Sequence, residues 1–227
     1  MKHKKKGLPA APAGDSMPTL RRGRIEDARK MAELHRKAIA AGFLSSLGSG
    51  VLEHVYKALF QCEGSFVVVA EENGDVVGFA AAVSDTRKFY ICFIRRYAFR
   101  TAIGLLPKLA SGRMARKMFE TLRHPFKRTP GAAGQAGMPE LLSIAVVDSR
   151  RNKRIGSDML AGTIDMMMES GQKGLTAVVG LRYPEAVAFY KNFGFVEVCE
   201  IEVHKGEPSV MYSIDFGSIG RDTAACL

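Results

Sequence analysis

The first half of the chain contains two stretches whose apolar residues recur every three to four positions, the spacing of one helix face. In residues 25–42 this face is formed by Ala28, Ala32, His35 and Ile39. Residues 49–60 repeat the spacing over a shorter length. The pattern therefore predicts two amphipathic helices near the start of the chain.

Strand patterns follow the two helices. Residues 65–83 hold two β-rich runs on either side of Asn73-Gly74, a pair that favours a hairpin because both central positions of a type I′ turn need positive φ. Later segments alternate between strand and helix patterns: strands at 139–147, 174–180, 195–203 and 209–216, and helices at about 154–170 and 184–193. A hairpin that leads into alternating strands and helices predicts a mixed sheet covered by helices.

A basic insert separates the hairpin from the next strand. Residues 87–128 carry twelve Lys or Arg and one acidic residue, Glu120, in a chain of formal charge +10, which indicates an anionic partner or ligand. The apolar part of the insert includes Arg95, Arg96 and Arg100, each of which would cost roughly 2.5 to 3.5 kcal/mol at the centre of a membrane span. We expect a helical lid with a solvated basic face rather than a span. A peripheral membrane contact through residues 87–128 stays open.

At 227 residues the chain has room for one large domain or two small ones, its composition is that of a globular protein, and a single α/β domain is expected. Residues 1–18 begin basic but lack the apolar core of a signal peptide, and they are predicted to be a disordered tail. The domain is expected to span residues 19–217, with the insert and a flexible loop at 87–139 and a second tail at 218–227. The four cysteines are scattered along the chain: Cys62, Cys92, Cys199 and Cys226. We therefore expect neither a zinc site nor a disulfide framework. We expect a reducing, cytoplasmic setting instead.

Four cations stand between a predicted strand and the helix that follows it: Arg150, Arg151, Lys153 and Arg154, with Gly156 after them. The first N–H groups of a helix lack intrahelical partners, and the helix dipole adds partial positive charge there. A glycine would let a phosphate approach the backbone closely, because it has no Cβ. This junction therefore predicts an anion site suited to phosphate. An ordinary solvated helix start is the competing interpretation.

Two motifs resemble the GNAT acetyltransferase superfamily. Residues 151–156, Arg-Asn-Lys-Arg-Ile-Gly, resemble its phosphate loop Arg/Gln-x-x-Gly-x-Gly/Ala, although Arg154 stands where the first glycine is usual; its amide still donates if φ stays negative. Residues 186–195, AVAFYKNFGF, resemble its short-helix motif. The resemblance implies an α/β fold of the GNAT type, with a mixed, splayed central sheet flanked by helices and the basic helical insert before the phosphate-loop strand. Residues 18–25 are then a candidate first strand.

The resemblance implies an acetyl-CoA-dependent N-acetyltransferase that moves an acetyl group directly to a primary amine in a ternary complex, without a metal. Tyr190 is then the general acid, since a phenol with a pKa of about 10 can protonate a departing thiolate. A bulged strand before the loop is expected to bind the thioester and pantetheine through its main chain. The implied acetyl-CoA contacts are Ile144, Ala145, Val146 and Val147 on that strand, and Arg151, Asn152, Lys153, Arg154, Ile155, Gly156 and Ser157 in the loop.

Glu140 is the first candidate for the general base. It lies eleven positions before Arg151, the spacing that some members of the family use, and strand alternation would place it on one face with Leu142 and Ile144. The same residue type at a strand start is commonly a plain exposed acid. Other candidates are Asp85, His54, His124 or a water molecule.

The chain departs from the family at two further positions. Val178 stands where other members carry a glutamate, and Tyr183 where an asparagine often contacts the cofactor. One rival interpretation is a catalytically inactive acyl-CoA-binding module, which keeps the fold but has lost catalysis. Another is a nucleic-acid-binding protein that uses the aromatic residues interleaved with the insert's arginines, but these suit a buried helix face at least as well, so nucleic acid is disfavoured. The expected partners are acetyl-CoA and an amine acceptor, and the expected state is a monomer or homodimer.

Overall fold

The structure is a computed structural model, and it describes residues 17–39, 44–45, 48–109, 138–204 and 207–218. The predicted tails and flexible loop fall mostly outside the described residues, as do basic residues 110–128. Within them lie seven strands and five helices of ten or more residues. In chain order these are β1 (Thr19–Arg22), α1 (Ala28–Ala38), α2 (Ser49–Leu59), β2 (Ser65–Glu72), β3 (Asp75–Val83), α3 (Thr86–Leu109), β4 (Glu140–Val146), α4 (Ile155–Glu169), β5 (Gly174–Gly180), α5 (Pro184–Phe193), β6 (Val196–His204) and β7 (Glu207–Asp215).

The strands form one sheet in the order β1-β2-β3-β4-β5-β7-β6. All neighbours are antiparallel except β4 and β5, which are parallel. The predicted hairpin is confirmed: Glu72 pairs with Asp75, and the turn residues Asn73 and Gly74 have φ of 53° and 83°. The candidate first strand and the mixed, helix-covered sheet are confirmed as well.

Helices cover both faces of the sheet. Side chains of β2 alternate between the two layers, with Val68 and Ala70 packing toward α4 and α5, and Val67 and Val69 toward α1, α2 and α3. All four are buried. Strands enclosed on both faces have no polar alternation, which explains why the hairpin strands are almost continuously apolar.

The described part of the basic insert has the predicted form, a helix packed on the domain with a charged outer face. Phe89, Phe93 and Tyr97 of α3 are buried, and Tyr97 donates a hydrogen bond to Gln61 Oε1 at 2.8 Å. Its exposed residues include Arg87, Lys88, Arg95 and Arg96. In the ranges that the structure describes, no helix is both long enough and apolar enough to cross a membrane.

A disulfide joins Cys62, just after α2, to Cys92 in α3, with the two Cα atoms 6.1 Å apart. The expectation that the cysteines are unpaired is therefore wrong. The partners lie 30 positions apart and meet only because α2 and α3 pack together, which sequence spacing does not reveal. The bond also removes the argument for a reducing, cytoplasmic setting, since that argument rested on the absence of pairing.

Candidate functional site

The central feature of the sheet is a split between β4 and β5. The two strands pair only at Glu140 with Thr176 and at Leu141 with Ala177, although β4 continues to Val146 and β5 to Gly180. The strands diverge beyond these pairs and form a V that opens toward their carboxyl ends. Ligands of α/β proteins bind beyond the carboxyl ends of parallel strands, so the V is the candidate site.

A bulge in β4 sets which groups face this V. Ala81 and Ala82 of β3 are consecutive, but their partners in β4 are Ser143 and Leu141, which leaves Leu142 as an extra residue. A bulge of this kind shifts the alternation of a strand by one position. The bulged strand implied by the family resemblance is therefore present.

Two hydrogen bonds fix the main-chain directions on either side of the bulge. Before it, the Pro139 carbonyl accepts from Thr176 N–H of β5 at 2.8 Å; after it, Val147 N–H donates to the Val77 carbonyl of β3 at 2.9 Å. The main-chain groups of successive residues in a strand point in alternate directions. Since those of Val147 point toward β3, those of Ile144 and Val146 point the other way, into the V. Ile144 and Val146 fit the predicted main-chain site. Val147 N–H does not, because β3 already uses it, and Ala145 lies opposite Phe79 and faces β3 too.

The loop after β4 turns sharply into α4. Residues 148–150 form one short turn, and Asn152 and Arg154 have φ of 61° and 63°. The condition stated for donation by the Arg154 amide, a negative φ, is therefore not met: the turn has the left-handed conformation for which glycine is favoured. Asp158 N–H donates to the Arg154 carbonyl at 3.0 Å and is the first amide with an intrahelical acceptor, so the amides of residues 155–157 precede the first intrahelical donor. These are the groups a phosphate would meet.

The cations of this loop do not share one role. Arg150 is half-buried and makes a two-pronged salt bridge with Glu72, with Nε and Nη2 at 2.9 and 2.5 Å from the carboxylate oxygens. The salt bridge therefore fastens the loop to β2. Arg151 lies 2.9 Å from Asp148, and both remain accessible. The side chains of Lys153 and Arg154 are exposed.

Replacing Arg154 tests this loop conformation. An L-residue in the left-handed region costs roughly 1 kcal/mol or more, so Arg154→Gly should raise the free energy of unfolding by about 1 kcal/mol. The loop already has the backbone that glycine favours, and we expect acetyl-CoA affinity to change less than about tenfold. Arg154→Ala removes the same charge but keeps the Cβ, so it should show no gain in stability. Urea unfolding and calorimetry measure both; a gain in affinity well above tenfold would show that the arginine blocks the site.

Gly156 brings the loop, β4 and α5 together. A Cβ built on Gly156 would lie 3.5 Å from the Phe189 ring of α5 and 4.0 Å from Val146 of β4. The missing side chain therefore faces α5. These are ordinary packing distances, so the contact with α5 does not itself require a glycine, and close approach of a phosphate stays a prediction.

Tyr190 lies on α5 beside this contact. Its side chain is buried among aromatic rings, 5.3 Å from Phe195 and 6.4 Å from Tyr212 between ring centroids. Burial raises its pKa above the ordinary value, so the phenol keeps its proton throughout the neutral range. In the described part of the chain no group hydrogen-bonds its hydroxyl, which leaves the proton available to a bound molecule.

Glu140 lies at the start of β4, beneath the insert helix. Its Oε2 accepts a hydrogen bond from Thr86 Oγ1 of α3 at 2.7 Å. The predicted shared face of Glu140, Leu142 and Ile144 is wrong, because the bulge turns Ile144 to the α4 layer while Leu142 packs in the α1–α3 layer. Glu140 therefore faces the same side of the sheet as the insert.

The other predicted bases have structural partners or lie elsewhere. Asp85 accepts the Lys88 N–H at 2.9 Å and so caps the start of α3. His54 stacks on Tyr97 with ring centroids 4.9 Å apart. His124 lies outside the described residues. No cluster of three His, Cys, Asp or Glu suited to a metal occurs within the described ranges.

Tyr183 covers the end of β5. Its ring lies 3.4 Å from where a Cβ would stand on Gly180, and the Arg182 guanidinium lies 5.1 Å from the ring centroid. Its hydroxyl is buried and has no hydrogen-bond partner among the described residues. A phenol thus occupies the place where the resemblance expects an asparagine that contacts the cofactor.

A buried hydrogen-bond chain reaches the bulge from the helices. His35 Nδ1 of α1 lies 2.6 Å from Tyr56 Oη of α2, which lies 3.0 Å from Ser143 Oγ of β4. Burial lowers the pKa of His35 to about 4, so its imidazole is neutral at pH 7. Tyr56 and Ser143 were not among the predicted residues; the available signal was His35, a histidine on the apolar face of a helix.

The pKa of His35 predicts acid sensitivity. The unfolded chain binds a proton near pH 6.5 that the folded protein accepts only near pH 4. The stability is therefore complete above about pH 6.5 and falls as the pH drops toward 4, by about 3 kcal/mol in total. We expect His35→Gln to lose less stability than the wild type between pH 7 and pH 4 in urea unfolding. Parallel curves for the two proteins would contradict this assignment.

Comparison with solved structures identifies the architecture. An acetyltransferase assigned to the GNAT family, from Desulfovibrio desulfuricans, aligns over 87% of this chain and 98% of its own, with a TM-score of 0.55 and 17% identity. The chain has the GNAT fold. An N-acetyltransferase from Staphylococcus aureus Mu50 aligns over 88% and 99% of the two chains, with a TM-score of 0.58 and 19% identity. No family model and no curated protein sequence matches the chain.

A third solved structure of the GNAT fold was determined with a ligand. YncA from Salmonella typhimurium, described as an acetyltransferase with its cofactor acetyl-CoA, aligns over 88% of this chain and 94% of its own, with a TM-score of 0.55 and 16% identity. These identities are low, so the comparison establishes the fold and leaves the activity to the chemistry of the site.

Proposed function

We propose that this protein transfers an acetyl group from acetyl-CoA directly to a primary amine in a ternary complex. The observation that carries the proposal is the V between β4 and β5, into which Ile144 and Val146 direct their main-chain groups beside the start of α4. Proteins of similar fold include one solved with acetyl-CoA and one named as a spermidine N-acetyltransferase. Their names support the reaction class and do not identify the acceptor.

The residues present suit acetyl-CoA, which supplies an activated acetyl thioester. The amides of residues 155–157 and the exposed cations Arg151, Lys153 and Arg154 would hold its pyrophosphate. Ile144 N–H would donate to the thioester carbonyl oxygen, where negative charge grows during attack, and Val146 would bind the pantetheine arm. The roles of Ile144 and Val146 are supported by the alternation of β4, in which Val147 N–H donates to Val77 of β3 and the main chain of the two residues is directed away from β3.

Two protons have to move for the reaction to finish. A primary amine with a pKa of about 10.4 is charged at neutral pH and must lose a proton before it attacks. Glu140 would accept that proton, directly or through water, since it faces the insert side of the sheet. Tyr190 would donate its phenolic proton to the departing thiolate, and burial keeps that proton in place until the thiolate forms.

Calorimetric titration with acetyl-CoA tests the proposal, with desulfo-CoA and ATP as controls. We expect acetyl-CoA and desulfo-CoA to bind and ATP to bind much more weakly, because the V recognises pantetheine as well as phosphates. A screen of amines with acetyl-CoA would then identify the acceptor. Absence of binding by a folded sample would overturn the proposal. Binding without turnover of any amine would instead favour the acyl-CoA-binding module.

A further inference from the structure

The buried hydrogen-bond chain of His35, Tyr56 and Ser143 lies among mainly apolar side chains. The three residues are 4%, 3% and 8% exposed, and Phe79, Ala81 and Ala145 pack in the same cluster. Burying a hydroxyl without a partner costs roughly 1 to 3 kcal/mol, so a polar chain in such surroundings is stable only when its hydrogen bonds are made. A buried hydrogen-bond chain of this kind therefore favours the one arrangement of the helices and strand in which all its hydrogen bonds are made.

The arrangement selected here is the register of β4. Ser143 is the residue directly after the extra residue Leu142. Without the bulge, alternation would turn the Ser143 side chain to the α4 face, away from Tyr56, and would direct the main chain of Ser143 and Ala145 into the V. The Tyr56–Ser143 hydrogen bond is therefore compatible only with the register in which Ile144 and Val146 face the V.

We propose that His35, Tyr56 and Ser143 are positioning residues that lock the β4 bulge and so hold the Ile144 amide toward the acyl group. The catalytic consequence rests on the proposed function, whereas the lock itself is a property of the fold. The three side chains come from α1, α2 and β4, so the lock also ties the two helices to the strand that lines the site.

The protonation states of His35 and Tyr56 indicate that the hydrogen-bond chain positions β4 and does not transfer protons. Burial lowers the pKa of His35 to about 4 and raises that of Tyr56 above its ordinary value. Both are neutral at pH 7, and His35 is too weak a base to take the proton of an amine. Among the residues that the structure describes, Tyr56 is the one titratable group that hydrogen-bonds His35, and apart from Ser143 the cluster's residues from β3 and β4 are apolar.

Steady-state kinetics with the amine found in the screen tests the catalytic part. Tyr56→Phe and Ser143→Ala should each lower kcat by about tenfold, because small misplacements of a reacting group have large effects. Their affinity for CoA should stay within about twofold of the wild type, since the phosphate loop is untouched. The double variant should be no worse than Tyr56→Phe alone, because the hydroxyls act as one unit. Thr163→Val, which removes a buried hydroxyl that bonds only its own helix, should keep kcat.

Amide hydrogen exchange tests the lock without any activity. In Tyr56→Phe, the amides of Ala145 and Val147, which face β3, should exchange about tenfold faster than in the wild type, relative to the amides of β7. Unchanged relative exchange, or kcat within twofold of the wild type in both single variants, would overturn the inference. If the wild type fails to bind acetyl-CoA, the proposed function fails, and the exchange measurement alone decides the lock.

Discussion

Tyr190→Phe should lower kcat by about 10² to 10⁴-fold while leaving acetyl-CoA affinity nearly unchanged. The substitution removes one hydroxyl and keeps the ring that packs against Phe195 and Tyr212. Without the phenolic proton, coenzyme A must leave as an unprotonated thiolate or take a proton from water. Steady-state kinetics with a saturating amine measures the first effect, and calorimetry with acetyl-CoA measures the second.

Tyr212→Phe is the matched control for Tyr190→Phe. Tyr212 belongs to the same aromatic cluster, is 1% exposed and stacks on Tyr190, so its loss of a hydroxyl reports any general disturbance of the cluster. We expect it to retain most of the wild-type kcat. Equal turnover by the wild type and Tyr190→Phe at every pH tested would remove Tyr190 from the mechanism.

The pH profile of the wild type adds a second check on Tyr190. Because burial raises the pKa of Tyr190 above its ordinary value of about 10, ionisation of this phenol cannot reduce kcat below about pH 10. A fall in activity at lower pH must come from another group. The pH profile would therefore separate the effect of the phenol from that of the acceptor amine, which needs a higher pH to lose its proton.

The sequence predicts elements well where local chemistry decides their limits. Helix α5 has the predicted limits because Pro184 starts it and Gly194, with φ of 102°, ends it. The β2–β3 hairpin has the predicted turn because Asn73 and Gly74 both adopt positive φ. In each case the residues that set the boundary are themselves part of the local structure.

The bulge in β4 was implied only by the family resemblance, and its position was not predicted. Leu141 and Leu142 are both apolar, and β4 has helices on both faces, so a shift of alternation leaves no trace in the pattern. The shift decides which amides of β4 point into the V. It also decides which side chains of β4 lie on the same face of the sheet as Glu140. It therefore explains why Val147 was wrongly counted as a donor and why Ile144 was wrongly grouped with Glu140.

The sequence pattern also predicted neither the backbone conformation of Arg154 nor the role of Arg150. The family loop suggested glycine at position 154, and the chain keeps the left-handed backbone even with arginine there. Arg150 looked like one more phosphate ligand, but its partner Glu72 lies 78 positions earlier and meets it only through the pairing of β2, β3 and β4. The role of Arg150 was therefore decided by a contact between distant positions.

The Cys62–Cys92 disulfide predicts the largest effect on stability. Replacing both cysteines by serine should lower the free energy of unfolding by about 3 to 4 kcal/mol, because the bond closes a loop with a sequence separation of 30 and so restricts the unfolded chain. Urea unfolding of the oxidised wild type and the double variant measures this difference. Dithiothreitol should bring the wild type close to the double variant and leave the variant itself unchanged.

Cys199→Ser is the matched control for the disulfide, because Cys199 is half-buried and free. Its removal should change the free energy of unfolding by less than about 0.5 kcal/mol. Equal stability of the oxidised wild type and the double variant would contradict the bond's stabilising role. The bond ties α3 to the end of α2, and Thr86 at the start of α3 donates a hydrogen bond to Glu140, so the insert helix is joined both to the domain and to the residue proposed as the base.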